Sequence, residues 1–159
     1  MRAAICPGSF DPITFGHLDI ISRTSKMFDK LYVAVLSNSS KTPSFTVDER
    51  MQMIKKCTKD IKNIEVCTFD GLLADFAKKN NIVALVKGLR AVSDFEYEFQ
   101  MALANKKLNQ ELETVFLTTS SEYMFLSSSI VKEIARNGGP IHEFVPAVVL
   151  DDIEKRLCR

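Results

Sequence analysis

Residues 7–17, Pro-Gly-Ser-Phe-Asp-Pro-Ile-Thr-Phe-Gly-His, constrain this chain more than any other stretch. They follow an apolar run over 3–6 that reads as a buried strand, and they lead into Leu18, Asp19, Ile20 and Ile21, the opening of an amphipathic helix. A strand that becomes a helix within so few residues bends sharply, and the two glycines and two prolines of the stretch hold that bend. Thr14 stands where it can cap the helix, with His17 about one turn in. Backbone N–H groups left unpaired at such a turn, helped by the helix dipole, form a site for an anion. His17 can equally be a capping or packing residue at a helix start; the glycine-proline turn beside it favours chemistry.

The rest of the chain repeats the strand-then-helix order. Apolar, β-branched runs over 31–36, 64–68, 82–86 and 114–118 read as four more strands. Between them lie a first helix over 15–28 and a second opened by the capping box Thr46-Val47-Asp48-Glu49, with Val47, Met51, Ile54 and Ile61 on one face. A short helix follows over 72–77. Ser93-Asp94-Phe95-Glu96 resembles another capping box, for a helix reaching about residue 108 that carries apolar residues on two sides. Such a helix is either fully buried or lines a subunit interface. Ser127, Ser128 and Ser129 open a helix to about residue 136, and Pro146 opens a last one containing Val149, Ile153 and Leu157. The expected fold is α/β, a Rossmann-like, doubly wound five-stranded parallel sheet with helices on both faces, in one domain over 1–159. Ligands of such sheets bind beyond the carboxyl ends of the strands. The polar clusters around His17, Lys41, Lys87 to Arg90 and Tyr123 to Ser129 each follow a predicted strand, so one rim can gather them all.

Composition narrows the classes. Lys plus Arg number 21 against 20 Asp plus Glu, which leaves no broad positive field for nucleic acid or an anionic membrane. No apolar run approaches the roughly 20 residues of a membrane span, so the chain is expected to be soluble, unprocessed and cytoplasmic. Cys6, Cys57, Cys67 and Cys158 lack metal-ligand spacing and are expected to be free core thiols. Gly-x-x-x-x-Gly-Lys-Ser/Thr is absent, as is Gly-x-Gly-x-x-Gly after the first strand; this argues against a P-loop kinase and a dinucleotide oxidoreductase. Lys87 and Arg90, flanking Gly88 directly after a buried strand, favour a functional role. Lys41 in its serine-rich loop is either solvated or a phosphate ligand. The three serines are either an N-cap or a phosphate cradle, and His142 reads as structural.

Thr14-Phe15-Gly16-His17 resembles the Thr/His-x-Gly-His signature of the nucleotidylyltransferase superfamily. The segments 87–98, 127–133 and 45–50 are in turn similar to the distinctive segments of its phosphopantetheine adenylyltransferase family, and the likeness covers essentially the whole chain. The resemblance implies adenylyl transfer from ATP to 4′-phosphopantetheine, giving dephospho-coenzyme A and pyrophosphate; Mg²⁺ is expected as cofactor from the polyphosphate substrate, since no protein carboxylate cluster for it is visible in the sequence. It implies His17 as the catalytic residue. The ATP site would comprise Ser9, Phe10, His17, Gly88, Leu89, Arg90, Glu98, Tyr123, Met124, Phe125, Leu126, Ser127, Ser128 and Ser129. The phosphopantetheine site would comprise Ser9, Lys41, Leu73 and Lys87. The family usually carries arginine where this chain has Lys87, and lysine keeps the charge while losing the bidentate fork. A homohexamer is also implied. The alternatives are another nucleotidylyltransferase acting on nicotinamide mononucleotide or glycerol phosphate, and a non-catalytic nucleotide-sensing domain.

Overall fold

The structure, a computed structural model, describes residues 1–37 and 42–158. Among these are five strands: β1 (Ala3–Gly8), β2 (Lys30–Val35), β3 (Ile64–Thr68), β4 (Ile82–Leu89) and β5 (Glu113–Thr118). They form one sheet in the order β3-β2-β1-β4-β5, every neighbouring pair parallel. The helices are α1 (Phe15–Ser25), α2 (Val47–Thr58), α3 (Leu73–Lys79), α4 (Val92–Leu108), α5 (Ser128–Arg136) and α6 (Ala147–Leu157), with a 3-10 turn at Ser121–Tyr123. The expected doubly wound α/β sheet is therefore present.

Alternation along the strands divides the core in two. Ala4 and Cys6 of β1, Leu31, Val33 and Val35 of β2, and Ala84 and Val86 of β4 face α1, α2, α5 and α6, through residues such as Ile21, Ile54, Val131 and Ile153. Ala3, Ile5, Tyr32, Ala34 and Leu85 point the other way, where Leu73, Phe76 and Ala77 of α3 cover them. The central strand β1 is buried on both faces, as its apolar run demands. Gly88 permits a close approach on the first face: a Cβ there would lie 2.8 Å from Ile20 Cγ1, so β4 and α1 could not pack as they do.

Several expectations shift. Helix α1 stops at Ser25, and Ile61 falls beyond α2. Strand β4 runs on through Lys87, Gly88 and Leu89, so these residues end the strand rather than follow it. The Thr46 capping box forms, its side chain accepting from Glu49 N while Glu49 accepts from Thr46 N. The one expected at Ser93 does not: α4 starts a residue earlier, at Val92, with no side-chain cap. Nor is α4 fully buried, since Phe95, Tyr97, Phe99, Met101 and Leu103 are all exposed. The thiols are free, yet Cys158 lies on the surface rather than in the core. Burial pushes the Cys6 thiol up to about 12 and those of Cys57 and Cys67 to about 11, leaving all three protonated at neutral pH.

Asp11 secures the turn after β1. Its side chain is almost inaccessible and accepts from Lys132 Nζ at 2.8 Å, Phe45 N at 2.9 Å and Ser44 N at 3.0 Å. One carboxylate thus joins the turn, the segment entering α2, and α5. Burial alone would raise its pKa, but Lys132 and the two N–H groups outweigh that and hold it below the usual carboxylate value. A depressed folded-state pKa adds stability above the unfolded value near ~4, and that stability is lost as pH falls through the folded value. Asp11→Asn is therefore expected to lose roughly 2–3 kcal/mol at pH 7, less than a fully enclosed pair because Lys132 keeps some solvent access. In urea titrations the gap from wild type should narrow as the pH drops below about 4; an equal gap at pH 7 and pH 3 would refute the assignment.

Candidate active site

Strand order reverses between β1 and β4: β2 and β3 extend the sheet on one side of β1, and β4 and β5 on the other. No crossover covers the carboxyl ends of that central pair, and a cavity of about 430 Å³ opens there. Each element that reaches it brings a different group.

From β1 and α1 come Ser9, Phe10 and His17. Thr14 is the N-cap of α1, its hydroxyl accepting from His17 N at 3.4 Å while its own N–H donates to His17 Nδ1 at 3.0 Å. An N–H aimed at Nδ1 makes that nitrogen an acceptor, so the neutral ring carries its proton on Nε2. Among the described residues nothing accepts that proton. Burial, and then the charge of Arg90, pull the imidazole pKa down to about 4. His17 is accordingly a neutral hydrogen-bond donor at physiological pH. Phe10 packs edge-on against the ring, centroids 5.1 Å apart, and fixes its plane.

From β4 and α4 come Lys87, Gly88, Arg90 and Glu98, joined by Ser93, Asp94 and Tyr97. The two cations are already engaged. Lys87 Nζ lies 3.3 Å from Glu98, and Arg90 Nε lies 3.2 Å from Asp94. Arg90 also donates to the Leu126 carbonyl at 3.0 Å, which ties the end of β4 to the segment before α5.

From the last approach come Tyr123, Leu126 and the three serines. Ser127 caps α5 by accepting from Ile130 N at 3.2 Å, and Ser128 Oγ donates to the Pro12 carbonyl at 2.7 Å. The first N–H groups of α5 thereby sit beside the turn that carries Ser9, as donors for an anion. The N-cap and cradle readings of these serines are compatible, because Ser127 performs the first while the backbone N–H groups at the start of α5 remain for the second.

Not every residue implied by the resemblance lines this cavity. Leu89 lies at the end of β4 with its side chain elsewhere, while Met124 and Phe125 are exposed outside it. Leu73 packs against the α3 side of the sheet. Lys41 lies outside the described residues. His142 is exposed, in a turn before α6. Asp94 escaped sequence reasoning because its position inside a capping-box pattern gave it a more ordinary role. Among the described residues no three His, Cys, Asp or Glu side chains group as metal ligands, and no helix is long and apolar enough to cross a membrane.

The chain is similar to known proteins. The cytidylyltransferase-like family matches residues 5–134. A phosphopantetheine adenylyltransferase of Caldanaerobacter subterraneus subsp. tengcongensis is 60% identical over 98% of both chains. One from Clostridium botulinum (strain Eklund 17B / Type B) is 56% identical over the same shares. In fold, the chain is similar to a Plasmodium falciparum nicotinic acid mononucleotide adenylyltransferase complexed with APC, with a TM-score of 0.73 at 17% identity, covering 97% of this chain and 94% of that one. With a family match across most of its length and relatives this close, the chain belongs to the cytidylyltransferase-like family and, within it, to the phosphopantetheine adenylyltransferases.

Proposed function

We propose that the protein transfers the adenylyl group of ATP to 4′-phosphopantetheine, giving dephospho-coenzyme A and pyrophosphate. The observation that carries this is a single cavity shared by a neutral imidazole donor, two cations and a helix N-terminus, in a chain 60% identical to a named phosphopantetheine adenylyltransferase. An acceptor phosphate oxygen attacks the α-phosphorus; a new P–O bond forms there as the bond to the β-phosphate oxygen breaks, and pyrophosphate leaves with the electron pair. The nucleophile is already an anion, because the second ionisation of a phosphate monoester lies near pKa ~6. No general base is required.

What the reaction requires is alignment of two anions and donors for charge developing on the α-phosphate and leaving group. His17 Nε2–H supplies one such donor, and Arg90 with the N–H groups of α5 receives the pyrophosphate. Lys87, freed from Glu98 when a phosphate approaches, offsets the acceptor's charge; Lys41 is proposed for the same role. The carboxylates of the cavity are each engaged by a cation, so the residues present fit a Mg²⁺ ion carried by the nucleotide phosphates better than one held by the protein. Such an ion, when bound, supplies further neutralisation of the polyphosphate. The exposed apolar residues of α4 form a surface suited to association of identical chains, and we propose a homo-oligomer, a hexamer by family likeness.

Four outcomes are expected. Pyrophosphate release from ATP should be rapid with 4′-phosphopantetheine and negligible with nicotinamide mononucleotide or glycerol phosphate; ATP bound tightly without turnover of any acceptor would favour a sensing domain instead. His17→Ala should reduce kcat by roughly 10²–10³-fold, the cost of one lost transition-state donor, while changing ATP affinity little. Since the His17 pKa is lowered to about 4, protonation of the ring belongs to acid pH. Wild type and variant should therefore share the same acid limb near pH ~6, that of the acceptor phosphate, and a further limb between about pH 5 and 8 seen only in wild type would contradict a neutral donor. Sedimentation velocity should report a multiple of the chain mass, reduced by Leu103→Asp on the exposed side of α4; a monomeric wild type would exclude the oligomer.

A further inference from the structure

Arg50, on the first turn of α2, is only 2% exposed, yet among the described residues no carboxylate pairs with it. Its guanidinium is satisfied by carbonyl oxygens alone: Nη1 donates to Ser9 O at 2.7 Å and Leu36 O at 3.2 Å, and Nε to Thr46 O at 3.3 Å. Burying a charge against neutral dipoles is costly, and an apolar side chain would serve packing better. The shortest of these bonds goes to the phosphate-binding turn itself.

That bond fixes a direction. The Ser9–Phe10 peptide is trans, so its carbonyl and N–H point opposite ways. With Ser9 O held by Arg50, the Phe10 N–H is turned away from α2, and both Ser9 and Phe10 line the cavity. Among the described residues that N–H has no acceptor. Phe10 itself sits at φ +47°, a left-handed conformation that a bulky residue disfavours, so the turn does not hold this orientation unaided. A rotated peptide would aim a carbonyl oxygen, rather than a donor, at an incoming phosphate.

We infer that Arg50 is a positioning residue of the nucleotide site, holding the Ser9 carbonyl so that the Phe10 N–H faces the cavity as a donor to a phosphate oxygen. The inference rests on the adenylyl-transfer reading. Arg50→Met keeps the length and apolar stem of the side chain and removes every donor. Compared with Ile54→Val, a mild destabilisation elsewhere on α2, the folded Arg50→Met protein is expected to lose about 10–100-fold in kcat/KM for ATP, the scale of a misplaced site group. Its ATP affinity by calorimetry should fall as well, whereas Ile54→Val stays near wild type in both. Arg50→Lys keeps the charge but cannot fork between the Ser9 and Leu36 carbonyls, and it should recover only part of the loss.

Folded Arg50→Met with ATP affinity and kcat/KM within twofold of wild type would overturn the inference. If Arg50→Met does not fold, Arg50→Lys decides: a several-fold loss is expected, and wild-type values overturn it. Wild type in the same assay separates the two failures. An inert wild type refutes the reaction and leaves ATP affinity to judge Arg50, while an active wild type matched by its Arg50 variants refutes only the positioning role.

Discussion

Two parallel strands that lie side by side but send their chains in opposite directions leave a gap at their carboxyl ends, and here those strands are β1 and β4. Everything chemical in this protein depends on that gap. The bend after β1 and the Lys87–Arg90 segment are about 80 residues apart in sequence, and only the reversal of strand order brings them together. The approach must also be close. Gly88 lets β4 lie against Ile20 of α1, so the helix carrying His17 packs directly on the strand carrying Lys87. A side chain at position 88 would press on Ile20 and force α1 or its side chain to shift.

The charge pattern of the cavity follows from having to exist before a substrate arrives. Two cations lining one cavity without counterions would destabilise the fold, and here Glu98 and Asp94 on α4 supply them. Such partly exposed pairs are weak, of the order of 1 kcal/mol or less, so a phosphate dianion competes for the same cations without a large penalty. Asp11 and Lys132 form the contrasting pair. Its carboxylate is buried and reinforced by two backbone donors, and the pair joins the turn to α5. The weak pairs lie where substrate must enter, and the strong one where the scaffold must stay rigid.

This division also decides what the sequence could disclose. The turn, the first capping box, all five strands and the serine N-cap are local features, and local pattern located them. Strand β4 outlasts its apolar run, because the charge of Lys87 hides the last residues of the strand from pattern. The Lys87 backbone still pairs with Phe116, since the strand emerges from the core before it leaves the sheet. The Ser93 capping box failed for a related reason: Asp94, inside the pattern, turns back to Arg90. Arg50 was hidden altogether. Its three carbonyl partners lie just past β1, just past β2 and at the N-cap of its own helix, and no spacing in a linear sequence announces an arginine that reaches across 41 residues to a carbonyl oxygen.

In the proposed reaction the histidine illustrates the same economy. A general base would need a pKa near the working pH and a proton to remove, but a phosphate nucleophile offers none to take. A protonated imidazole would add a third cation to a cavity that already holds Lys87 and Arg90. The structure avoids both. Burial and Arg90 keep the ring uncharged, and the Thr14 N–H occupies Nδ1 and so commits the proton to Nε2. A neutral donor of fixed direction contributes most when charge moves onto the atom it faces, and the fold devotes its tightest turn, a cap and an aromatic contact to holding it there.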